Sequence, residues 1–425
     1  MTGYRTLARN RDFTILWTGE TVNELGSAMS LFVFPLLGYH LTGSSLVAAL
    51  LESAGLLGMC AALLPGGVLA DRVDRKRLML GASAGGVVLY GSLVVAGALD
   101  VLTVPHLAVV ALLTGVGSGL FQPAQGAAIR TVVATEDLPT ALSQNQARQH
   151  IASLLGGPLG GLLYAVRAWA PFLVDTCTYA ASCLTVSRIR ADLRPPAYDG
   201  PGVSLRRHLV QGFRFVWDRP FFRTLTAFSC LGNLLVNAVF FVVLLRLIRA
   251  HYPAAQIGLV STAAGVGGIL GALAAPYIID RARTGLLTIA IAWMCALPLL
   301  PLIWWSTPLA ACVSVFTLLL LNPAGNAGIG AYRVAQTPDE LQGRVASAMQ
   351  FSGMSVMPLS PLLAAWLLTH TNGSRAVLIL VAATACLALF VTLSRSIREV
   401  PRPQEWRAQL DAELADVAAG TPSAG

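Results

Sequence analysis

The sequence predicts an all-α integral membrane protein, with twelve transmembrane helices in two pseudo-symmetric six-helix bundles. Three observations point there. Of 425 residues, 55% are hydrophobic and only 12% charged, where a soluble domain carries about 25% charged residues. Mean hydropathy is +0.66. Apolar runs long enough to span a bilayer, about 20 residues each, follow one another between Arg, Pro and Gly clusters. Finally, short motifs of the first half return in the second at a fixed offset. This composition excludes an ordinary soluble enzyme and also a disordered chain, since apolar surface is abundant.

The runs place spans near residues 13–38, 45–69, 78–99, 104–128, 144–165, 169–187, 222–247, 255–279, 285–305, 308–329, 345–369 and 374–396. Lipid leaves unpaired backbone groups unsatisfied, so each span is expected to be helical. With the N-terminus in the cytoplasm, all but four of the 29 basic residues fall on cytoplasmic segments; Arg167, Arg246, Arg249 and Arg375 are the exceptions. That bias predicts both termini inside, and it accounts for a pI near 9.4 without nucleic acid. No removable leader is read at the start, because Arg5, Arg9 and Arg11 precede a long span lacking a small-residue cleavage site.

Four segments result: a first bundle over 1–187, a cytoplasmic linker over 188–221, a second bundle over 222–399 and a tail over 400–425. The linker opens with a Pro- and Gly-rich stretch and continues as an amphipathic helix. There Leu205, Leu209, Phe213, Val216 and Trp217 oppose Arg206, Arg207 and Arg214, a pattern that lies along the inner leaflet. The tail either forms another short helix through Trp406, Leu410 and Leu414 or stays disordered.

The halves repeat. Phe121-Gln-Pro-Ala-Gln-Gly-Ala-Ala-Ile-Arg matches Leu321-Asn-Pro-Ala-Gly-Asn-Ala-Gly-Ile-Gly, and Pro158-Leu-Gly-Gly-Leu-Leu matches Pro358-Leu-Ser-Pro-Leu-Leu. Asp71-Arg72 corresponds to Asp280-Arg281. Parallel repeats of this kind build transporters whose site lies near the midplane between the halves.

The stretch Gly67-Val-Leu-Ala-Asp71-Arg72-Val-Asp74-Arg75-Lys76-Arg77 resembles the loop between spans two and three that marks the major facilitator superfamily. Other stretches are similar to its drug:proton antiporter branch, which includes macrolide and siderophore exporters. They are Arg11-Asp-Phe-Thr-Ile-Leu-Trp17-Thr-Gly19, Gln122-Pro-Ala, Gly157-Pro158-Leu-Gly160-Gly161, Pro171-Phe-Leu-Val-Asp175, Gly212-Phe-Arg-Phe-Val-Trp217 and Gly343-Arg344-Val-Ala-Ser347. The resemblance implies the major facilitator fold and proton-driven export. It also implies that Asp71 holds the cytoplasmic ends of the halves together in the outward-open state, facing the N-terminal dipole of span eleven. Gly67, Arg72 and Arg75 support that gate, with Asp280 and Arg281 as their repeats. Two departures stand out: one residue separates the Gly-Pro and Gly-Gly pairs of span five where relatives have two, and relatives often carry Gln at position 20 and Asp at position 27.

Four carboxylates fall inside spans: Glu20, Glu24, Glu52 and Asp175. A central acid costs about 2.5–3.5 kcal/mol to insert, so four unpaired ionised ones would cost on the order of 10 kcal/mol. They are therefore expected to face the interior. An acid that alternates between an apolar setting and a neighbouring Arg as the halves rock can carry a proton. Glu24, Glu52 and Asp175 are the expected coupling residues, although Asp175 is alternatively a structural partner for an Arg such as Arg148, and Glu20 is alternatively solvated. Glu20, Asn23, Glu24, Ser27 and Ser30 share one face of span one. Thr226, Ser229, Asn233 and Asn237 share one face of span seven without acids. The cleft is thus predicted to be lined by Glu20, Asn23, Ser27, Arg148, Asn233 and Asn237. Gly157, Pro158, Gly160 and Gly161 predict either close helix packing or a hinge that seals the pathway. Trp304 and Trp305 read as an aromatic belt.

The expected function is export of amphipathic small molecules (a drug, antibiotic or secondary metabolite) across a bacterial cytoplasmic membrane by proton antiport, as a monomer. An importer or uniporter of a polar solute is the alternative. An intramembrane enzyme is the third reading, but no nucleophile elbow or HExxH signature is read from the chain and the histidines are scattered. Lys76, the only lysine, fits no GxxxxGK[ST] loop. Cys60, Cys177, Cys183, Cys230, Cys295, Cys312 and Cys386 lie singly, so neither a disulfide framework nor a metal site is expected. No cofactor is expected.

Overall fold

Local chemistry sets where each helix begins. Asn10 accepts the amide of Phe13 (3.1 Å), Ser44 that of Val47, Asp74 that of Lys76 (2.9 Å) and Asn372 that of Arg375 (2.8 Å), each satisfying an orphan N–H at a helix start. Gly43 ends the first long helix at φ +66°, a backbone shape glycine adopts without strain. The computed structural model describes residues 2–195, 205–338, 341–402 and 404–405, so Trp406, Leu410 and Leu414 of the tail lie outside the described residues.

After a short N-terminal helix, the first half contains α1 (Arg11–Thr42), α2 (Ser45–Ala70), α3 (Arg75–Ala98), α4 (Val104–Val132), α5 (Leu138–Val166) and α6 (Ala170–Ser187). A linker helix, Leu205–Asp218, precedes the second half. That half contains α7 (Pro220–Arg249), α8 (Ala254–Arg281), α9 (Thr284–Ile303), α10 (Pro308–Ala335), α11 (Gln342–His370) and α12 (Gly373–Leu393). Ten of these are long and apolar enough to cross a membrane among the described residues; α5 and α6 are not in that set. The reason is visible in their composition: α5 opens on Gln144, Asn145, Gln146, Arg148 and Gln149, and α6 carries Asp175 among threonines and serines. Both nonetheless pack on the other helices, α5 against α1 and α8, α6 against α1 and α3.

The packing repeats with the sequence. Helix α2 lies on α4 as α8 lies on α10; α1 touches α5 and α6 as α7 touches α11 and α12; α3 lies on α6 as α9 lies on α12. Across the halves, α5 meets α8 and α11 meets α2. The halves differ in continuity. Helices α4 and α5 run through Pro123 and Pro158, whereas α10 changes direction at Leu321 and α11 is interrupted between Ser355 and Leu359, beside Pro358. Helix α9 tightens to a 3₁₀ turn over Leu297–Ile303, where Pro298 and Pro301 remove two donors.

Outward faces are apolar, as lipid requires: Val88 is 71% exposed and Leu273 75%. Trp304 and Trp305 protrude together at the end of α9, the expected place for a belt.

The linker helix corrects the expectation of a single apolar face. Gly212, Phe215 and Val216 turn inward, with Gly212 against the Arg344 carbonyl of α11 and Phe215 edge-on to Phe222 at 5.1 Å. Phe213 and Trp217 turn outward instead, Trp217 being 70% exposed. The helix docks on the protein through the smallest residue in its middle, since only there can two backbones approach closely. Side chains of Leu205, Arg206, Arg207 and Leu209 lie outside the described residues.

Candidate functional site

The two halves close against each other at the end bearing His40 and His251, opposite the basic end that holds Asp71 and Arg72. At the closed end, α5 crosses α8 at glycine contact: a Cβ on Gly157 would stand 2.9 Å from Ser261 Cβ, and one on Gly161 2.7 Å from the Ala254 carbonyl carbon. Gly160 faces the other way, where a Cβ would stand 2.8 Å from the Met29 carbonyl of α1. The glycines around Pro158 thus let α5 contact both halves at once. Next to this crossing, Arg249 of α7 donates from Nε to Ser45 Oγ of α2 (2.9 Å) and from Nη1 to the Leu368 carbonyl of α11 (3.2 Å). One guanidinium therefore fastens three helices from both halves.

From that seal a cavity of about 870 Å³ runs toward the basic end, where Arg77, Leu78 and Gln122 border it. Its first-half wall holds Glu20, Asn23, Glu24, Ser27, Glu52 and Arg148. Its second-half wall holds Asn237, Phe240, Phe241, Leu244 and Val260. The predicted cleft residues assemble here with one exception. Asn233 is not among the lining residues; its amide donates to the Gly353 carbonyl (3.4 Å), and its own carbonyl accepts from Asn237 Nδ2 (2.7 Å). Four residues further along α7, only Asn237 reaches the cavity.

Glu24 and Arg148 form the central pair. The guanidinium Nε lies 2.9 Å from Glu24 Oε2, and the Arg148 side chain is only 3% exposed. The contact is an ion pair between the two side chains. This corrects one alternative: Arg148 pairs with Glu24, not with Asp175. Glu20 corrects another. It is not solvated but 4% exposed, and its Oε1 accepts from Ser182 of α6 at 2.9 Å. Ser182 in turn lies 3.1 Å from Ser83 of α3.

Asp175 sits behind the cavity wall, 0% exposed. Ser27 Oγ lies 3.4 Å from its Oδ1 and 3.3 Å from the Tyr179 hydroxyl, and Thr178 Oγ1 lies 3.1 Å from the same Oδ1. Asp175 Oδ2 and Ser30 Oγ are buried, with no hydrogen bond of good geometry among the described residues. Tyr179 stacks on Tyr90 with ring centroids 5.6 Å apart, so an aromatic layer flanks this acid. Glu52, on α2, borders the cavity and makes no ion pair or hydrogen bond among the described residues.

At the basic end, Asp71 is exposed and has no side-chain partner among the described residues, and Arg72 is exposed as well. Arg75 donates to the Ala70 carbonyl (3.0 Å) and to Thr131 (3.0 Å), within the first half. Gly67 has open space around it. The expected contact between Asp71 and α11 is thus not made in this conformation, whose cavity reaches that end. Arg281 lies 3.5 Å above the Tyr277 ring; the side chain of Asp280 lies outside the described residues. Lys76 Nζ donates to the carbonyls of Ser187 and Ile189, each at 2.8 Å, capping α6.

Gly81-Ala-Ser83-Ala-Gly85 does carry the Gly-x-Ser-x-Gly spacing, against expectation. Ser83 is 0% exposed in the body of α3 and bonded to Ser182. It lacks the strand-to-helix turn that exposes a nucleophile, and its role is to join α3 to α6. No cluster of three or more His, Cys, Asp or Glu with metal-binding geometry occurs among the described residues. Sequence reasoning missed Ser182, Tyr179 and Arg249. Tyr179 and Ser182 follow Asp175 at four and seven residues on one face of α6, a signal that was available.

Residues 16–361 match the sequence profile of the Major Facilitator Superfamily. The chain belongs to that superfamily. It is 27% identical over 358 residues to the multidrug efflux pump Tap of Mycolicibacterium fortuitum, covering 80% of this chain and 85% of that one. It is 26% identical over 326 residues to the enterobactin exporter EntS of Salmonella typhimurium, covering 69% and 74%. Among solved structures, a bacterial homologue of the iron transporter ferroportin in an inward-facing state superposes with a TM-score of 0.66 at 17% identity, over 91% of this chain and 98% of that one. This facilitator is accordingly a multi-pass membrane transporter and not an enzyme.

Proposed function

We propose that this facilitator is a secondary active exporter of amphipathic small molecules, driven by proton antiport through alternating access. Twelve helices would span the bacterial cytoplasmic membrane, with 1–187 and 222–399 as the moving halves, 188–221 as linker and 400–425 as tail. Both termini would be cytoplasmic, which makes the cavity open to the cytoplasm and ready to load. The protein would act as a monomer.

The observation that carries this reading is the Glu24–Arg148 pair on one wall of a large, mostly apolar cavity. A buried ion pair is poor evidence for stability, since desolvation offsets its attraction. It does suit a switch: protonating Glu24 releases Arg148, and a rearrangement of the halves changes which state is favoured. Glu52 and Asp175 are the other proposed coupling acids, with Asp71, Gly67, Arg72, Arg75, Asp280 and Arg281 as the cytoplasmic gate. The span-five glycines serve as the seal. The names of Tap and EntS favour export, and the apolar second-half wall disfavours a polar-solute importer.

Purified protein in liposomes with an imposed pH gradient tests it. Accumulation of a lipophilic fluorescent cation against its gradient is expected only when protons flow the other way. Equal rates with and without the pH gradient would remove the antiport reading, and uptake in the reverse direction would leave an importer.

A further inference from the structure

We infer that Thr262 of α8 is a positioning residue that holds the closed end shut by donating to a carbonyl left vacant by Pro158, and that Cys60 of α2 is its weaker counterpart at Pro358. This rests on the alternating-access reading, yet it concerns which conformation the protein prefers and can be tested without transport. Proline has no N–H, so the carbonyl four residues before it loses its helical partner. For Pro158 that carbonyl belongs to Leu154, and for Pro358 to Met354. Thr262 Oγ1 donates to the Leu154 carbonyl at 3.0 Å, and Cys60 Sγ donates to the Met354 carbonyl at 3.2 Å. Both donors come from the opposite half. The two prolines are counterparts in the repeat, and the two donors sit on the counterpart helices α8 and α2. Each half thus covers the other's defect.

A membrane interior offers no water to an unpaired carbonyl, and proline is tolerated there where a neighbouring helix supplies a donor. Ser153 and Ser261 border the cavity, but Leu154 and Thr262 are not among the lining residues, so their bond lies within the helix crossing. Close approach is built in at that level: a Cβ on Gly265 of α8 would stand 2.6 Å from Leu154 Cβ. The carbonyls of Leu31, Ala61 and Gly119, four residues before Pro35, Pro65 and Pro123, receive no side-chain donor among the described residues. Donors from the other half are thus matched to the repeated pair. The two sites are unequal, because the Met354 carbonyl also accepts from the Met357 amide at 3.0 Å and a thiol is a weak donor. Opening the closed end must part α5 from α8 and α11 from α2, which breaks both bonds and bares both carbonyls to lipid. The vacancies therefore bias the halves toward the conformation seen here.

Hydrogen exchange of the purified protein in lipid nanodiscs, followed peptide by peptide, tests this. Thr262→Val keeps the shape and removes the hydroxyl. It should speed exchange about fivefold around His40 and His251 at the closed end and slow it around Arg75 and Thr131 at the basic end. Opposite changes at the two ends report a shift between conformations, whereas a merely loosened fold exchanges faster at both. Thr262→Ser, which keeps the donor, should match the wild type. Pro158→Ala returns an N–H to the Leu154 carbonyl, so Thr262→Val made in that background should change exchange by less than about twofold. Cys60→Ala should give the same opposed pattern at about twofold, and a Cys60→Ala protein indistinguishable from wild type would remove the second site. No opposed shift for Thr262→Val, failure of Thr262→Ser to restore it, or a full effect in the Pro158→Ala background would each overturn the inference. The opposed shift in a protein that shows no pH-driven transport in liposomes would instead retain the role of Thr262 and remove the antiport reading.

Discussion

The two walls of the cavity come from one duplicated unit and have diverged in chemistry. Helix α1 presents Glu20, Asn23, Glu24 and Ser27, while its repeat α7 presents Asn237 between phenylalanines and leucines. Duplication supplies shape twice, but ionisable groups are expensive in lipid, so a single wall carrying them suffices and the other is free to pack against cargo. The second half keeps its buried-side arginine elsewhere, at the seal, where Arg249 meets Ser45 and Leu368. In the proposed cycle, Glu24 and Arg148 of the first half serve the pathway, and Arg249 of the second half serves closure.

The largest expected effect is on the charged wall. Arg148→Ala leaves Glu24 beside no counter-ion, which in a buried pair costs about 3–5 kcal/mol; membrane protein levels and detergent melting temperature should both fall. Glu24→Gln with Arg148→Met should restore the level but not pH-driven efflux, and a double variant that still transports would break the division of labour. Next comes the seal. Arg249→Gln gives up two hydrogen bonds to charge, each worth about 1.5–3 kcal/mol. Cysteines placed at the closed end should then react with an impermeant thiol reagent severalfold faster; an unchanged rate would show that the glycine crossing alone closes the pathway. Ser182→Ala removes the donor to Glu20, a change of about 1–3 kcal/mol, and should lower the melting temperature by a few degrees with transport reduced less than in Glu24→Gln. The smallest effect is expected on the apolar wall, where Asn237→Leu should change efflux less than threefold in the same vesicles. A tenfold loss there would mean both walls share the polar work.

Much of the fold was legible because membranes simplify the problem. Length, apolar runs and basic asymmetry leave few alternatives to helices, and the repeat of Gln122-Pro-Ala in Asn322-Pro-Ala exposed the duplication. What sequence spacing gave was which residues share a helix face. It did not give how one helix is rotated against the next, and three corrections are of that kind. Glu20 belongs to the right stripe but turns toward α6; Arg148 chooses Glu24 over Asp175; Asn233 falls one turn short of the cavity. The linker helix shows the same limit, since Phe215 rather than Phe213 is buried once Gly212 sets the line of approach. Arg249 was visible only as an exception to the charge bias, and its reason appears with the fold.

The clamp of Lys76 on the carbonyls of Ser187 and Ile189, at the end of α6 and just past it, has a practical consequence. An endoprotease that cuts after lysine has one address in this chain, and that bond is at the first turn of α3, tied down by two hydrogen bonds. Cleavage must wait for the turn to fray. The appearance of a single clean fragment pair becomes a clock for how often α3 lets go of α6, readable on a gel without any engineered probe.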